Sequence, residues 1–148
     1  MVDILHRIGV TGSSPDDVFT ALTTLDGLSS WWARDTTGDP GTPDGLIAFR
    51  FLVGGFDMKV LALEPGERVL WQVVDGPPEW IGTEVEFRLR QDGGYTIVGF
   101  EHRGWREPVE FMSHCSTKWA TFLMSMKQLV ETGTGAPYPR EVRVSNWT

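Results

Sequence analysis

The chain has 148 residues, with 13 Lys and Arg against 20 Asp and Glu and a formal net charge of −7. That length suits one domain, able to bury about two thirds of its unfolded surface, and an acidic chain without a basic stripe argues against nucleic acid as a partner. One cysteine, Cys115, excludes an internal disulfide, no CxxC pair or His/Cys array has zinc-ligand spacing, and no apolar run approaches membrane-spanning length.

Ile4 to Val10 reads as an opening strand, and the N-terminal segment lacks the charged-then-apolar layout of a signal peptide, so a cytoplasmic protein without membrane insertion is expected. Ser14-Pro15-Asp16-Asp17 then marks a helix start: Ser14 as N-cap, Pro15 at the first helical position and two acids in the first turn. This helix runs to about Thr24, with Val18, Phe19, Ala21, Leu22 and Leu25 as its apolar stripe. A second short helix, Asp26 to Trp32, carries Leu28, Trp31 and Trp32. Asp35 to Gly45 is rich in Gly, Pro and Asp and reads as a loop. Its acids lack calcium-loop spacing and the terminal glutamate.

From Leu46 onward the pattern is strands joined by turns. Leu46 to Val53 and Phe56 to Leu63 flank Gly54-Gly55; Glu64-Pro65-Gly66-Glu67 leads into Arg68 to Val74; Asp92-Gly93-Gly94 joins Thr83–Arg90 to Tyr95–Arg103. In Thr83 to Arg90, Val85, Phe87 and Leu89 alternate with four charges, which predicts a sheet with one dry and one wet face. A long helix follows from about Pro108 to Glu131, with Met112, Cys115, Trp119, Phe122, Leu123, Met126, Leu129 and Val130 at helical spacing. It would be about 36 Å long, ended by Gly133 and Gly135 with Pro137 and Pro139 beyond. These elements predict an α+β domain over residues 1–136 in which the long helix covers the dry face. Residues 137–148 form a tail whose Arg140–Val144 segment reads as an extra edge strand or a frayed end.

The order of elements, with the words His102-Arg-Gly-Trp105, Cys115-Ser-Thr-Lys-Trp119 and Leu129-Val-Glu-Thr-Gly-Thr-Gly-Ala-Pro-Tyr-Pro139, resembles the bacterial relatives of the activator of the heat-shock-protein-90 ATPase. These belong to the superfamily of START lipid-transfer domains, birch-pollen allergens and polyketide cyclases (SRPBCC). The resemblance covers nearly the whole chain. It implies the helix-grip fold: a curved antiparallel sheet wrapped around a long C-terminal helix, two short helices after the first strand, and a cavity that holds sterols, lipids or polyketides in various relatives. The eukaryotic co-chaperone carries a further N-terminal domain, whereas this sequence opens on the helix-grip strand; a chaperone-activating role is therefore not the leading expectation, and a shared fold hosts unrelated activities.

The chain has seven Trp and eight Phe, each ring an apolar area to be buried, to line a pocket or to mark an interface. With the long helix on the dry face, Phe49, Phe51, Met58, Trp71, Val73, Val85, Phe87, Val98, Phe100 and His102 point inward opposite Met112, Cys115, Trp119 and Phe122. They fill a core or line a cavity. Trp31, Trp32, Trp80 and Trp105 fall where a cavity mouth is expected, as ligand-stacking rings, core rim or dimer face. His102 is the polar candidate, either as ligand anchor or catalytic base, or as a histidine satisfied locally. His114 and Cys115 diverge by about 100° on a helix, so with His102 they make no metal trio. Cys115 reads as a small core residue.

The expected function is binding of an apolar or aromatic small molecule, lipid-, sterol- or polyketide-like, with no cofactor and no metal. A cyclase- or dehydratase-like acid–base enzyme and a co-chaperone-like or homodimeric interaction domain are the alternatives. The enzyme alternative needs a second polar group converging with His102, and the inward set offers no carboxylate.

Overall fold

The computed structural model describes residues 1–147. Its elements are β1 (Val2–Thr11), α1 (Pro15–Thr23), α2 (Leu25–Trp31), β2 (Asp35–Gly38), β3 (Leu46–Arg50), β4 (Gly55–Glu64), β5 (Arg68–Asp75), β6 (Glu84–Asp92), β7 (Tyr95–Trp105) and α3 (Glu110–Thr132). The strands form one antiparallel sheet in the order β1-β7-β6-β5-β4-β3-β2. The two short helices and α3 lie against it, giving the helix-grip α+β architecture. No helix among the described residues is long and apolar enough to cross a membrane.

Local chemistry accounts for the helix boundaries. At the start of α1, Ser14 Oγ accepts from the backbone N–H of Asp17, and the Asp17 carboxylate accepts from the N–H of Ser14, a reciprocal cap that satisfies two orphan donors. In the same way Thr24 Oγ1 accepts from Gly27 N–H and opens α2. The long helix begins two residues later than Pro108, because Val109 stays extended as its N-cap. It ends where Gly133 turns left-handed at φ 89° and donates to the carbonyl of Leu129. Near that end Glu131 accepts from both N–H and hydroxyl of Thr11 and from Lys127, which ties the helix to the end of β1.

Two readings of the sequence change. Within the segment read as a loop, Asp35–Gly38 pairs with Ile47–Arg50 as an edge strand, four residues being too few for alternation to register. The Arg140–Val144 segment forms no strand. Instead Tyr138 makes a parallel bridge to Ala33, and the chain then runs back over the long helix.

Alternation in β6 is borne out on its dry side: Val85, Phe87 and Leu89 are buried opposite His102, Phe100 and Val98 of β7. On the other face, Glu86 is not solvated as its neighbours are; its side chain is only 1% exposed. Arg68, Arg88 and Arg103 close over it with N···O distances of 2.5 to 3.0 Å. Arg103 also reaches Glu84 and Glu101, so three strands are laced by one charged network. Burial alone would raise the Glu86 pKa, but the bonds from Arg68 and Arg103 outweigh it and the net direction is down.

Removing one partner of such a network leaves uncompensated charge. Glu86→Ala is expected to cost about 3 kcal/mol in urea denaturation at pH 7, and more than Glu101→Ala at the network's exposed rim. Equal losses from the two would show that the burial of Glu86 carries no energetic weight.

Candidate functional site

A cavity of about 440 Å³ opens beside the N-terminal half of α3. One wall is Phe111, His114, Cys115, Lys118, Trp119 and Phe122 from α3. The opposite wall is the Phe51–Phe56 turn between β3 and β4, Pro77 and Trp80 of the loop before β6, and Trp32 at the end of α2. Tail residues Tyr138, Pro139, Glu141–Val144 and Trp147 form the third side.

Helical spacing explains the α3 wall, since Phe111, Cys115, Lys118 and Phe122 succeed each other at intervals of four, three and four residues. The floor is made by Trp32 and Trp119, whose rings lie 4.8 Å apart. Trp32 rests on Phe49 at 4.1 Å and Phe56 at 5.2 Å, and Trp119 on Phe100 at 4.6 Å. Trp80 stacks over Trp119 with an interplanar angle of 12°.

The tail is fixed by specific contacts. Tyr138 donates its N–H to Trp32, accepts at its carbonyl from Arg34 N–H, and accepts at its hydroxyl from the N–H of Leu52. Farther on, Ser145 Oγ lies 2.7 Å from His114 Nδ1, the Trp147 ring lies 5.2 Å from that of His114, and Glu141 pairs with Lys118 at 3.7 Å.

The ring residues expected to line a cavity divide into two layers. Trp32, Phe51, Trp80, Cys115, Trp119 and Phe122 border it. Trp31, Phe49, Met58, Trp71, Phe87, Phe100 and Trp105 instead lie wholly buried in the core away from the cavity, and Met112 is half-buried and off the wall. Trp31 donates its indole N–H to the carbonyl of Ala21, so it locks α2 to α1. His114 and Cys115 are adjacent on the helix yet both border the cavity, whereas His102 does not.

His102 is fully occupied within the core. Thr83 Oγ1 donates to the carbonyl of Trp80, so it can only accept from His102 Nε2–H, at 2.8 Å. His102 Nδ1 accepts from the Trp119 indole N–H at 3.1 Å. These bonds fix the neutral Nε2–H tautomer. Burial pushes the pKa down to about 3. With both nitrogens engaged and the ring behind the Trp119 floor, His102 has no route to act as ligand anchor or base in this cavity; its role is to hold Trp119.

Other titrating groups are set by burial too. The Cys115 thiol is pushed up to about 12 chiefly by burial, with the Trp80 indole N–H pulling the other way, so it is not a thiolate nucleophile at neutral pH. Burial, then the charge of Lys118, lowers the pKa of His114.

Phe56, Phe111, His114, Lys118, Tyr138 and Trp147 are wall residues missing from the sequence-derived set. Counting by twos back from Met58 would have reached Phe56, and counting by fours back from Cys115 would have reached Phe111. No periodicity could have brought in the tail.

The profile of the family described as Activator of Hsp90 ATPase homolog 1-like protein matches residues 13–131. The solution structure of the Aha1 dimer from Colwellia psychrerythraea is similar at 46% identity and a TM-score of 0.84, covering 91% of this chain and all of that one. CalU16 from Micromonospora echinospora is 21% identical with a TM-score of 0.66, covering 86% of this chain and 72% of that one. Protein SSP2350 from Staphylococcus saprophyticus is 14% identical with a TM-score of 0.76, over 97% and 98% of the two chains; these last two share the fold. No curated protein matches the sequence.

The state of His102 sets a pH signature. Its neutral form is favoured on folding, so its contribution is present above the unfolded pKa near 6.5 and is lost as pH falls toward the folded value of about 3. Between pH 6.5 and 5, above the range where carboxylates titrate, this amounts to a loss of up to about 2 kcal/mol. Urea denaturation of His102→Gln at both pH values is expected to show a smaller loss than the wild type. The same loss in both proteins would mean that His102 is not held neutral.

Proposed function

We propose that this chain, which belongs to the Activator of Hsp90 ATPase homolog 1-like family, binds an apolar or aromatic small molecule, lipid-, sterol- or polyketide-like, in the cavity beside α3. The observation that carries this reading is the cavity itself: about 440 Å³ walled by nine aromatic rings, within the range that holds small organic ligands. Gaps of that size are not left in close-packed interiors without consequence, because each forfeits dispersion contact along its lining. Burying about 200 Å² of ligand apolar surface would contribute on the order of 5 kcal/mol before ordering costs, enough with a few hydrogen bonds for micromolar affinity. The reading is of a carrier or sensor rather than a catalyst, because the thiol on the wall is held protonated and the core histidine is sequestered. The free thiol supports a reducing compartment, the cytoplasm, as the place of action.

Homodimerisation is a second reading, favoured by the similarity to a protein described as a dimer and by the bare side chains of Leu52 and Val53, 89% and 80% exposed at the rim of the cavity. Light scattering is expected to give twice the single-chain mass for the wild type and the single-chain mass for the double variant Leu52→Asp, Val53→Asp. A monomeric wild type at 100-micromolar concentrations would remove this reading.

The binding reading is tested by filling the cavity. Titration with 1-aminoanthracene, followed by its fluorescence, is expected to give one site of roughly micromolar affinity. Cys115→Phe should weaken it about tenfold or more while still unfolding cooperatively in urea, at a cost of about 1–3 kcal/mol for overpacking. A folded variant that binds as tightly as the wild type would place the probe elsewhere.

A further inference from the structure

The cavity wall is mostly apolar, with His114 and the Tyr138 hydroxyl among its polar groups and an ion pair at one place. Lys118 and Glu141 face each other there at 3.7 Å, their side chains 24% and 9% exposed. Arg143 is also on the wall, so its ionised groups are two cations and one carboxylate in a chain whose net charge is −7. The Lys118 ammonium lies 5.8 Å from the centre of the Phe122 ring, at the boundary between charge and aromatic surface. The wall holds a second donor. Trp80 is 6% exposed and borders the cavity, and its indole N–H has no oxygen or nitrogen acceptor among the described residues. The neighbouring Cys115 offers only a thiol, a weak acceptor.

We propose, on the reading that this cavity is a ligand site, that its ligand is an aromatic or apolar acid whose anionic head takes the place of Glu141 on Lys118 and accepts from the Trp80 indole. Glu141 is then an internal stand-in for the ligand. At 3.7 Å the pair lies beyond the 2.7–2.9 Å of a charge-assisted hydrogen bond, so a carboxylate or sulfonate free to choose its position can improve on it. Glu141 also belongs to the tail that forms the third side of the cavity, so exchange of one carboxylate for another loosens that side as the ligand enters. An aliphatic or aromatic body would lie on Trp119 and Phe122, with the head toward Lys118.

The test compares two probes of one shape, 2-naphthoate and 2-naphthylmethanol, by isothermal titration calorimetry. The wild type is expected to prefer the acid by about tenfold. That preference should collapse to about unity in Lys118→Met, survive in Lys118→Arg, and grow by about threefold to fivefold in Glu141→Gln, with near-UV circular dichroism confirming the fold of each. Binding of both probes with equal affinity by the wild type would overturn the acid assignment and leave the cavity reading standing. A preference that persists in Lys118→Met would overturn the role given to Lys118. Binding of neither probe would overturn the cavity reading and this inference with it.

Discussion

Trp119 is the point where helix, sheet and cavity are held in register. Its indole N–H is committed to His102 of β7, its ring stacks with Trp80, and Trp32 and Phe100 pack against it at a tilt of 47°. A hydrogen bond between neutral side chains contributes about 1 kcal/mol net, but leaving either partner unsatisfied in the core costs more. The bond therefore acts less as glue than as a position constraint. It sets how far α3 can approach the sheet, and hence where the packed core stops and the cavity begins. Thr83 completes the constraint from the loop just before β6, and because its own proton goes to a backbone carbonyl, no member of the chain can reverse direction.

The division of the rings into a floor and a buried layer follows from that geometry. Phe49, Trp71, Phe87 and Phe100 are large, and in a sequence they are indistinguishable from Trp32, Trp80 and Trp119. Their difference is one of depth. The strand residues fill the concave face to close packing, Trp71 meeting Phe87 edge-on at 5.1 Å and Phe87 meeting Phe100 at 5.3 Å. What is left open lies toward the N-terminal half of α3, where the β3–β4 turn and the loop before β6 stand away from the helix.

The fold was largely legible in the sequence because its signals are local: the Ser14–Asp17 cap, the glycine turns, and the alternation in β6. Two kinds of fact were not. Depth was one, since period-two patterning assigns a face but not how far beneath the surface a residue lies. It put His102 correctly on the inner face, yet Thr83 and Trp119, which sequester it, are 19 and 17 residues away in sequence. It put Glu86 on the outer face, but could not show three arginines from three strands closing over it. Long-range return of the chain was the other. Tyr138 and Trp147 carry no periodicity, and their places depend on where Gly133 redirects the backbone.

That return gives the tail its importance. A helix-grip sheet with α3 across it already has a dry interior, and the family profile ends at residue 131, before the tail begins. Tyr138 packs against the core, and with the carboxylate of Glu141 and the Trp147 ring it supplies the third side of the cavity. Tyr138 is pinned by three hydrogen bonds, whereas Glu141 and Trp147 are attached through a few contacts, in contrast to the ring packing beneath. The contact between Ser145 and His114 is one hydrogen bond, and that between Glu141 and Lys118 is a partly exposed ion pair, a class worth at most about 1 kcal/mol. The outer part of this wall, from Glu141 onward, is held by fewer bonds than the floor beneath it. On the proposed binding function, selectivity would reside in Lys118 and in what the tail presents beside it, while capacity would reside in the gap that Trp119 and its neighbours leave open.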